Sequence, residues 1–353
     1  MPHAALRPPF ESDLEAVTDA IGAADWAQLR GRHVFLTGGT GFVGKWLLAS
    51  LLHAGRRFAL DCRITVLSRN PQAFRSEAPF LAQAPGVSLL QGDVRSFAWP
   101  DQRFDLVIHA ATDVVASATP LETFDTCVQG TRRVLDLAVQ AGAQRVLLVS
   151  SGAMYGRQPE GQEGVPESWL GAPDIRDARS AYGEGKRATE WLGAAYSKQH
   201  GLDVRVARCF AFLGPYLPLD KHFALGNFLR DAMAGQPIVI QGDGTALRSY
   251  LYAADMAAWL WAILLRGERG GTYNVGGGEA VSIAQLARRI AQALASPSAV
   301  TVQGQAGGGM APDRYVPDTR KALGALALGV PLALDEAIRR TAAWHRAATD
   351  LPA

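Results

Sequence analysis

The strongest constraint on the fold lies near the start of the chain. An apolar run at residues 33–36 passes directly into TGGTGFVG at 37–44, and a helical pattern follows over 45–54. A strand that becomes a helix through glycines allows a tight turn, close backbone approach to a ligand, and close packing of helix on strand. The free N–H groups and positive end of that helix favour an anion such as a pyrophosphate. A glycine-rich turn alone also occurs where nothing binds. The strand before it and the helix after it point to a dinucleotide site.

The rest of the chain continues the same alternation. Apolar runs at 64–67, 87–90, 106–108, 146–149 and 204–207 are separated by helix-patterned stretches such as 124–141 and 188–199. Short, doubly buried strands alternating with helices predict an α/β fold, a doubly wound parallel sheet of Rossmann type covered on both faces. Residues 11–30, with Leu14, Val17, Ile21 and Trp26 at helical spacing, predict an added outer helix, so 1–31 is read as a helical extension. Residues 32–210 then form the dinucleotide-binding domain. Residues 211–353 form mainly a smaller C-terminal α/β substrate lobe, with some chain crossing back to the sheet. Its elements are a helix at 223–234, a strand at 238–240, a helix at 282–295 and a turn at 304–309. The stretch 156–179, rich in Pro, Gly and Glu, predicts a long functional loop.

Composition excludes several classes. A net charge of +2 over 353 residues gives no basic surface for nucleic acid or an anionic membrane. Cys62, Cys127 and Cys209 are widely spaced, which argues against a disulfide framework or a metal site. The opening residues lack a signal-peptide core, and the most apolar stretch, 256–265, is too short to span a bilayer. A cytoplasmic location is the expectation.

Two further groups carry chemistry. The second strand ends in Ser68 and Arg69, where an NAD site often places an acid for the ribose 2′-OH. An Arg suits a 2′-phosphate, so NAD(H) or NADP(H), one per chain, is expected, with Arg69 leaning toward NADP(H). Asp93, in GDV at 92–94, is placed to accept from the adenine amine. The strand at 146–149 ends in Ser150-Ser151-Gly152, and Tyr182 precedes Lys186 by one helical turn. A phenol titrates at about 10, and a nearby cation brings it toward useful acid–base range.

Together these segments resemble the extended short-chain dehydrogenase/reductase family, in its nucleotide-sugar epimerase/dehydratase branch. The resemblance runs from about residue 32 to 340. It includes HAAT at 109–112, SSGAMYG at 150–156, YGEGK at 182–186, GDGTALRSYLYAADMA at 242–257, YNVGGGE at 273–279 and DRYVPDTRKALGALALG at 313–329. It implies that Ser151, Tyr182 and Lys186 are catalytic, with Tyr182 and Lys186 also at the cofactor. It further implies that Gly38, Gly41, Phe42, Val43, Gly44, Ser68, Arg69, Asp93, Val94, Ala110, Ala111 and Thr112 line the dinucleotide. Asn227, Arg248 and Arg314 would meet a nucleoside-diphosphate sugar. A homodimer through a four-helix interface, built from 124–141 and 181–199, is also implied.

Three departures shape the expected reaction. Gly152 and Ala153 stand where the family's 4,6-dehydratases carry Asp-Glu and its UDP-glucuronate decarboxylases carry a Glu at 153, which disfavours both. Ala211 and Cys127 replace Asn residues near the substrate. The expectation is therefore 4-epimerisation through a 4-keto intermediate, or NADPH-dependent reduction of a 4-keto sugar. Lys221 or His222 is a minor alternative as a second acid or base. A non-catalytic NADP(H) sensor is the reading from a different class, and retention of the Tyr/Lys pair argues against it.

Overall fold

The computed structural model describes residues 5–112, 118–221, 223–305 and 312–349. Its centre is a seven-stranded parallel sheet of β1 (His33–Thr37), β2 (Arg63–Ser68), β3 (Val87–Gln91), β4 (Leu106–His109), β5 (Arg145–Ser151), β6 (Asp203–Cys209) and β7 (Thr272–Val275), in the order β3-β2-β1-β4-β5-β6-β7. All five residues of β1 are buried. Val34 and Leu36 enter one apolar layer and Phe35 the other, because successive side chains leave opposite faces and both faces are covered. The chain winds outward from β1 in both directions, so a crevice opens between the carboxyl ends of β1 and β4.

Helices α1 (Glu11–Ile21), α2 (Phe42–Phe58), α3 (Pro120–Gln140), α4 (Ala181–His200), α5 (Ala224–Met233), α6 (Ala253–Arg266), α7 (Ile283–Ala293) and α8 (Leu334–Thr349) surround the sheet and its smaller neighbours. Of these, α3 and α4 pack together on one face, while α1, α2 and α6 pack on the other. Beyond β6 lie three small sheets, one of which pairs Leu247–Arg248 with both Val281–Ser282 and Arg314–Tyr315. The expected apolar segment 256–265 lies inside α6, where Trp259 and Trp261 are buried, and no described helix is long and apolar enough to cross a membrane.

Two expectations need correction. The helix expected over 11–30 breaks at Gly22, whose φ of +78° ends α1, and resumes as a short turn at Ala23–Trp26. It is also no loose addition. Leu14, Val17, Ile21 and Trp26 belong to the main core, and the Trp26 and Trp261 rings lie 5.2 Å apart. Buried Asp13 accepts from Tyr252 at 2.6 Å and from Arg340 at 2.6 Å, tying the first helix to the last. The strand β7 has no counterpart among the expected strands; its four residues add parallel to β6 at the sheet edge.

Asp255 stands beside this cluster and accepts from the Leu332 N–H at 2.9 Å. Burial first, and the Asp13 charge after it, raise its carboxyl to about 6. A folded-state value above the unfolded one means that the folded chain binds the proton more readily. Stability contributed by that proton is present below pH 4 and is lost as pH rises through 6. Asp255→Asn removes this term. Urea midpoints from pH 4 to 8 should show the variant gaining on the parent by up to about 3 kcal/mol at the upper end.

Candidate active site

The turn between β1 and α2 has two positions where only glycine fits. Gly38 has a φ of +72°, and a Cβ there would lie 2.5 Å from the Ala110 carbonyl carbon. At Gly44 a Cβ would meet the Gly38 oxygen at 2.3 Å, so α2 rests directly on the turn. Gly41 is different: the nearest atom to a Cβ is the Gly38 oxygen at 3.4 Å, which leaves space open toward the cleft. The first backbone bond of α2 runs from Lys45 N–H to Gly41 O at 2.9 Å, with no side-chain cap and no acid in the first turn. The amides of Phe42, Val43 and Gly44 precede that bond, and such donors suit an anionic pyrophosphate.

A cleft of about 360 Å³ opens at this turn, lined by Gly38, Gly41, Ser68, Arg69, Asp93, Val94, Ala110, Ala111 and Thr112, and also by Thr40, Arg95 and Glu122. Nine of the sequence-expected residues thus converge on the cleft, while Gly44, Tyr182 and Lys186 lie outside its lining, and Phe42 and Val43 turn their side chains to the core, Phe42 stacking 6.5 Å from Phe212. Asp93 is engaged by its own neighbour: Arg95 donates to both carboxylate oxygens, at 2.8 and 3.0 Å. That pairing holds the Asp93 carboxyl below its ordinary value, and Arg69 adds a smaller pull. The residues fit a dinucleotide, with backbone donors suited to its phosphates and the cationic side chains of Arg69 and Arg95 lining the same cleft.

The chemistry-bearing groups meet at the carboxyl end of β5. Lys186 is buried and donates to Val149 O at 2.7 Å and to the Thr112 hydroxyl at 2.8 Å. Burial lowers its ammonium pKa, opposed by Cys127, Cys209 and Glu190. Tyr182 lies one turn earlier on α4, its ring centroid 5.8 Å from the Lys186 Nζ. Here the expected acidification is not what the structure has. Although the residue is only half-buried overall, burial of the hydroxyl dominates and pushes the phenol above its ordinary value, with Ser151 as the counterweight. The Ser151 hydroxyl also accepts the Ala153 N–H at 3.1 Å. His109, of the HAAT segment, is buried and held neutral, its pKa lowered by burial to about 3. It links Thr37 at 2.7 Å to Thr131 at 3.1 Å beneath the cleft.

Of the substrate candidates, Arg248 and Arg314 come from neighbouring strands, Arg248 being the register partner of Tyr315. Arg248 is paired with Asp313 at 2.7 Å, and Arg314 donates to Glu163 O at 3.0 Å. Asn227 stands apart on α5, accepting from Arg230 at 3.3 Å. Lys221 pairs with Asp220 at 3.8 Å, and His222 lies outside the described residues, as does most of the expected turn at 304–309. Sequence reasoning missed Tyr315, whose hydroxyl lies 3.3 Å from Ser151 Oγ. Its only signal was its place inside the DRYVPD segment. Among the described residues no cluster of His, Cys, Asp or Glu is arranged to hold a metal ion.

Comparison with known proteins agrees with this geometry. Residues 34–276 match the NAD dependent epimerase/dehydratase family. UDP-glucuronic acid decarboxylase 1 of Xenopus tropicalis is 30% identical over 319 residues, covering 89% of this chain and 72% of that protein. UDP-glucuronic acid decarboxylase 6 of Arabidopsis thaliana is 30% identical over 263 residues, 74% of each. Among solved structures, the dTDP-glucose 4,6-dehydratase DesIV of Streptomyces venezuelae, with NAD bound, has a TM-score of 0.76 at 27% identity, covering 89% of this chain and 97% of that one. A UDP-glucose 4-epimerase of Thermotoga maritima has a TM-score of 0.76 at 20% identity, covering 90% and 100%, a likeness of fold alone. The match takes in all seven strands of the parallel sheet and the helix α4, and the chain therefore belongs to the NAD-dependent epimerase/dehydratase family of extended short-chain dehydrogenases/reductases, as a nucleotide-sugar-modifying enzyme.

Proposed function

We propose that this enzyme is a nucleoside-diphosphate-sugar 4-epimerase. What carries the reading is the rim after β5, where Ser151 is followed by Gly152 and Ala153. These residues offer no side chain that moves a proton. The carboxylate that acts on Lys186, Glu190, is already bound by the Ser150 hydroxyl at 2.5 Å and by Arg208 at 2.7 Å. Removing water or steering a decarboxylation calls for a further acid–base group, whereas inverting a carbinol needs one proton and one hydride moved and returned. A bound nicotinamide supplies the hydride acceptor and, when oxidised, a positive charge. Ser151 holds the sugar C4 oxygen, Tyr182 takes and returns its proton, and Lys186 holds the nicotinamide ribose.

We assign the sugar diphosphate to Arg248, Arg314 and Asn227, in a substrate lobe made mainly of residues beyond 210, and the cofactor preference to Arg69, which favours NADP(H). Leu121 and Trp191, exposed at 79% and 69% on α3 and α4, support a homodimer through these helices. The names of the curated relatives favour a second reading, decarboxylation of UDP-glucuronic acid.

Incubation with UDP-, dTDP-, GDP- and CDP-sugars, followed by NMR and nicotinamide absorbance, separates these chemistries. Inverted sugar with no net nicotinamide change is expected. A pentose nucleotide from UDP-glucuronic acid, stoichiometric NADPH loss, or a 4-keto-6-deoxy product would each replace the proposal with decarboxylase, reductase or dehydratase respectively. Tyr182→Phe should cost at least about 100-fold in rate. Gly41→Ala, whose backbone φ of −84° suits any residue, should cost the fold about 1 kcal/mol or less. In a fluorescence titration it should nonetheless weaken dinucleotide binding more than about tenfold, because a methyl group fills the open space. Trp191→Asp should shift the sedimentation coefficient from dimer to monomer.

A further inference from the structure

We infer that His109 is a positioning residue of the active site: held as one tautomer in a buried row of hydrogen bonds, it sets the segment that gives Lys186 its acceptor. The inference rests on the reading that Lys186 holds the nicotinamide ribose.

His109 ends β4, and Ala110, Ala111 and Thr112 follow it along the wall of the cleft. Beneath that wall Thr37, His109, Thr131 and Thr189 are all buried, each side chain bonded to the next. Thr37 Oγ1 lies 2.7 Å from His109 Nδ1, His109 Nε2 lies 3.1 Å from Thr131 Oγ1, and Thr131 Oγ1 lies 3.0 Å from Thr189 Oγ1. Backbone groups close both ends. The Ala111 N–H donates to Thr37 Oγ1 at 3.2 Å, and Thr189 Oγ1 donates to Cys127 O at 3.3 Å.

Those ends fix the direction of every proton between them. A hydroxyl has one proton to give, and a carbonyl only accepts. With the Thr189 proton on Cys127 O, Thr131 donates to Thr189, and His109 donates to Thr131 from Nε2. A neutral imidazole with its proton on Nε2 accepts at Nδ1. Thr37 therefore donates there and takes the Ala111 N–H on a lone pair. Run the other way, the row would leave the Thr37 proton without an acceptor among the described residues, a costly state at a buried site. Burial keeps the ring neutral, as this arrangement requires.

The row ties the dinucleotide turn to α4. Thr37 adjoins Gly38, whose Cβ position is closed by Ala110, and Thr189 stands one turn beyond Lys186. At the far end of the same segment, Thr112 gives its own proton to Ala111 O at 2.7 Å and accepts from Lys186 at 2.8 Å. A second ammonium proton goes to Val149 O at 2.7 Å. The third is left for the ribose. Through Ala111, His109 fixes the height of Thr112, and Thr112 fixes where that remaining proton points.

Proton–nitrogen NMR correlations on the histidine rings of the parent protein test the row, the His109 signal being assigned by its displacement in Thr131→Val. The Nε2–H tautomer should appear and persist from pH 6 to 8. The Nδ1–H tautomer, or titration within that range, overturns the inference. Fluorescence titrations with NAD and with ADP, which lacks the nicotinamide ribose, test the consequence. His109→Leu and Thr112→Val should each weaken NAD about tenfold, the worth of a hydrogen bond to a charged group, and leave ADP within about twofold. Because both act through one contact, the double variant should also lose only about tenfold; additive losses of about 100-fold overturn the inference. Should His109→Leu fail to fold, Thr189→Val, which cuts only the last link, takes its place in the cycle. Lys186→Met separates the two claims. Unchanged NAD binding there removes the underlying reading and the inference with it. Weakened binding there, with unchanged binding in His109→Leu and Thr112→Val, removes the inference alone.

Discussion

The ammonium of Lys186 is the contact on which the site depends. It is almost fully buried, and a buried cation persists only where its protons find acceptors. Those acceptors come from two different strands' ends: the Val149 carbonyl on β5 and the Thr112 hydroxyl after β4. By holding both, Lys186 draws α4 down onto the carboxyl edge of the sheet, beside the crevice that the winding of the chain opens. The two glycines of the YGEGK segment follow from that close approach. A Cβ on Gly183 would lie 2.7 Å from Ala153 O, and one on Gly185 would lie 2.7 Å from Cys127 Cβ. The same crowding accounts for a compact Cys at 127.

Below that edge a second buried set holds the frame. Glu190, one turn past Lys186, accepts from Ser150 and from both sides of the Arg208 guanidinium, and Arg208 donates on to Tyr155 at 2.7 Å and Glu167 O at 3.0 Å. Tyr155 donates to Asn274 on β7 at 2.9 Å. Helix α4, strands β5, β6 and β7, and the loop after Tyr155 are thereby joined through groups that each have a partner, as buried polar groups require. Removing one member would strand the others, which is why the loop at 156–179 can be irregular in backbone yet fixed in place.

The parts of this structure legible in the sequence are those that depend on near neighbours. Six of the seven sheet strands announce themselves as apolar runs, five of them because they are covered on both faces, while β3 at the edge is only partly buried; the glycine at 44 reflects a clash within the turn itself, and the one at 38 a positive φ that the turn requires. Tyr182 and Lys186 share a face by helical spacing. What was not legible depends on closure in space. Asp13 looks like an ordinary acid in a first helical turn until Arg340, 327 residues away, is brought to it. Tyr315 and Ser151 are separated by 164 residues. The direction of the Tyr182 shift also escaped, because spacing shows the neighbouring cation but not the burial that outweighs it.

These observations bear on how one scaffold hosts different reactions. At the end of β5 the position after the serine is occupied by no side chain, and the space it leaves is filled by Phe210 with Tyr315 against it. Where relatives are expected to carry a proton-moving carboxylate, this chain has aromatic surface. A carboxylate can carry a proton away from carbon or toward a leaving group. An aromatic ring moves no proton. On the proposed reading, the chain has kept the step common to the whole family, exchange of a hydride and a hydroxyl proton, and has dropped the apparatus that would take the resulting ketone further.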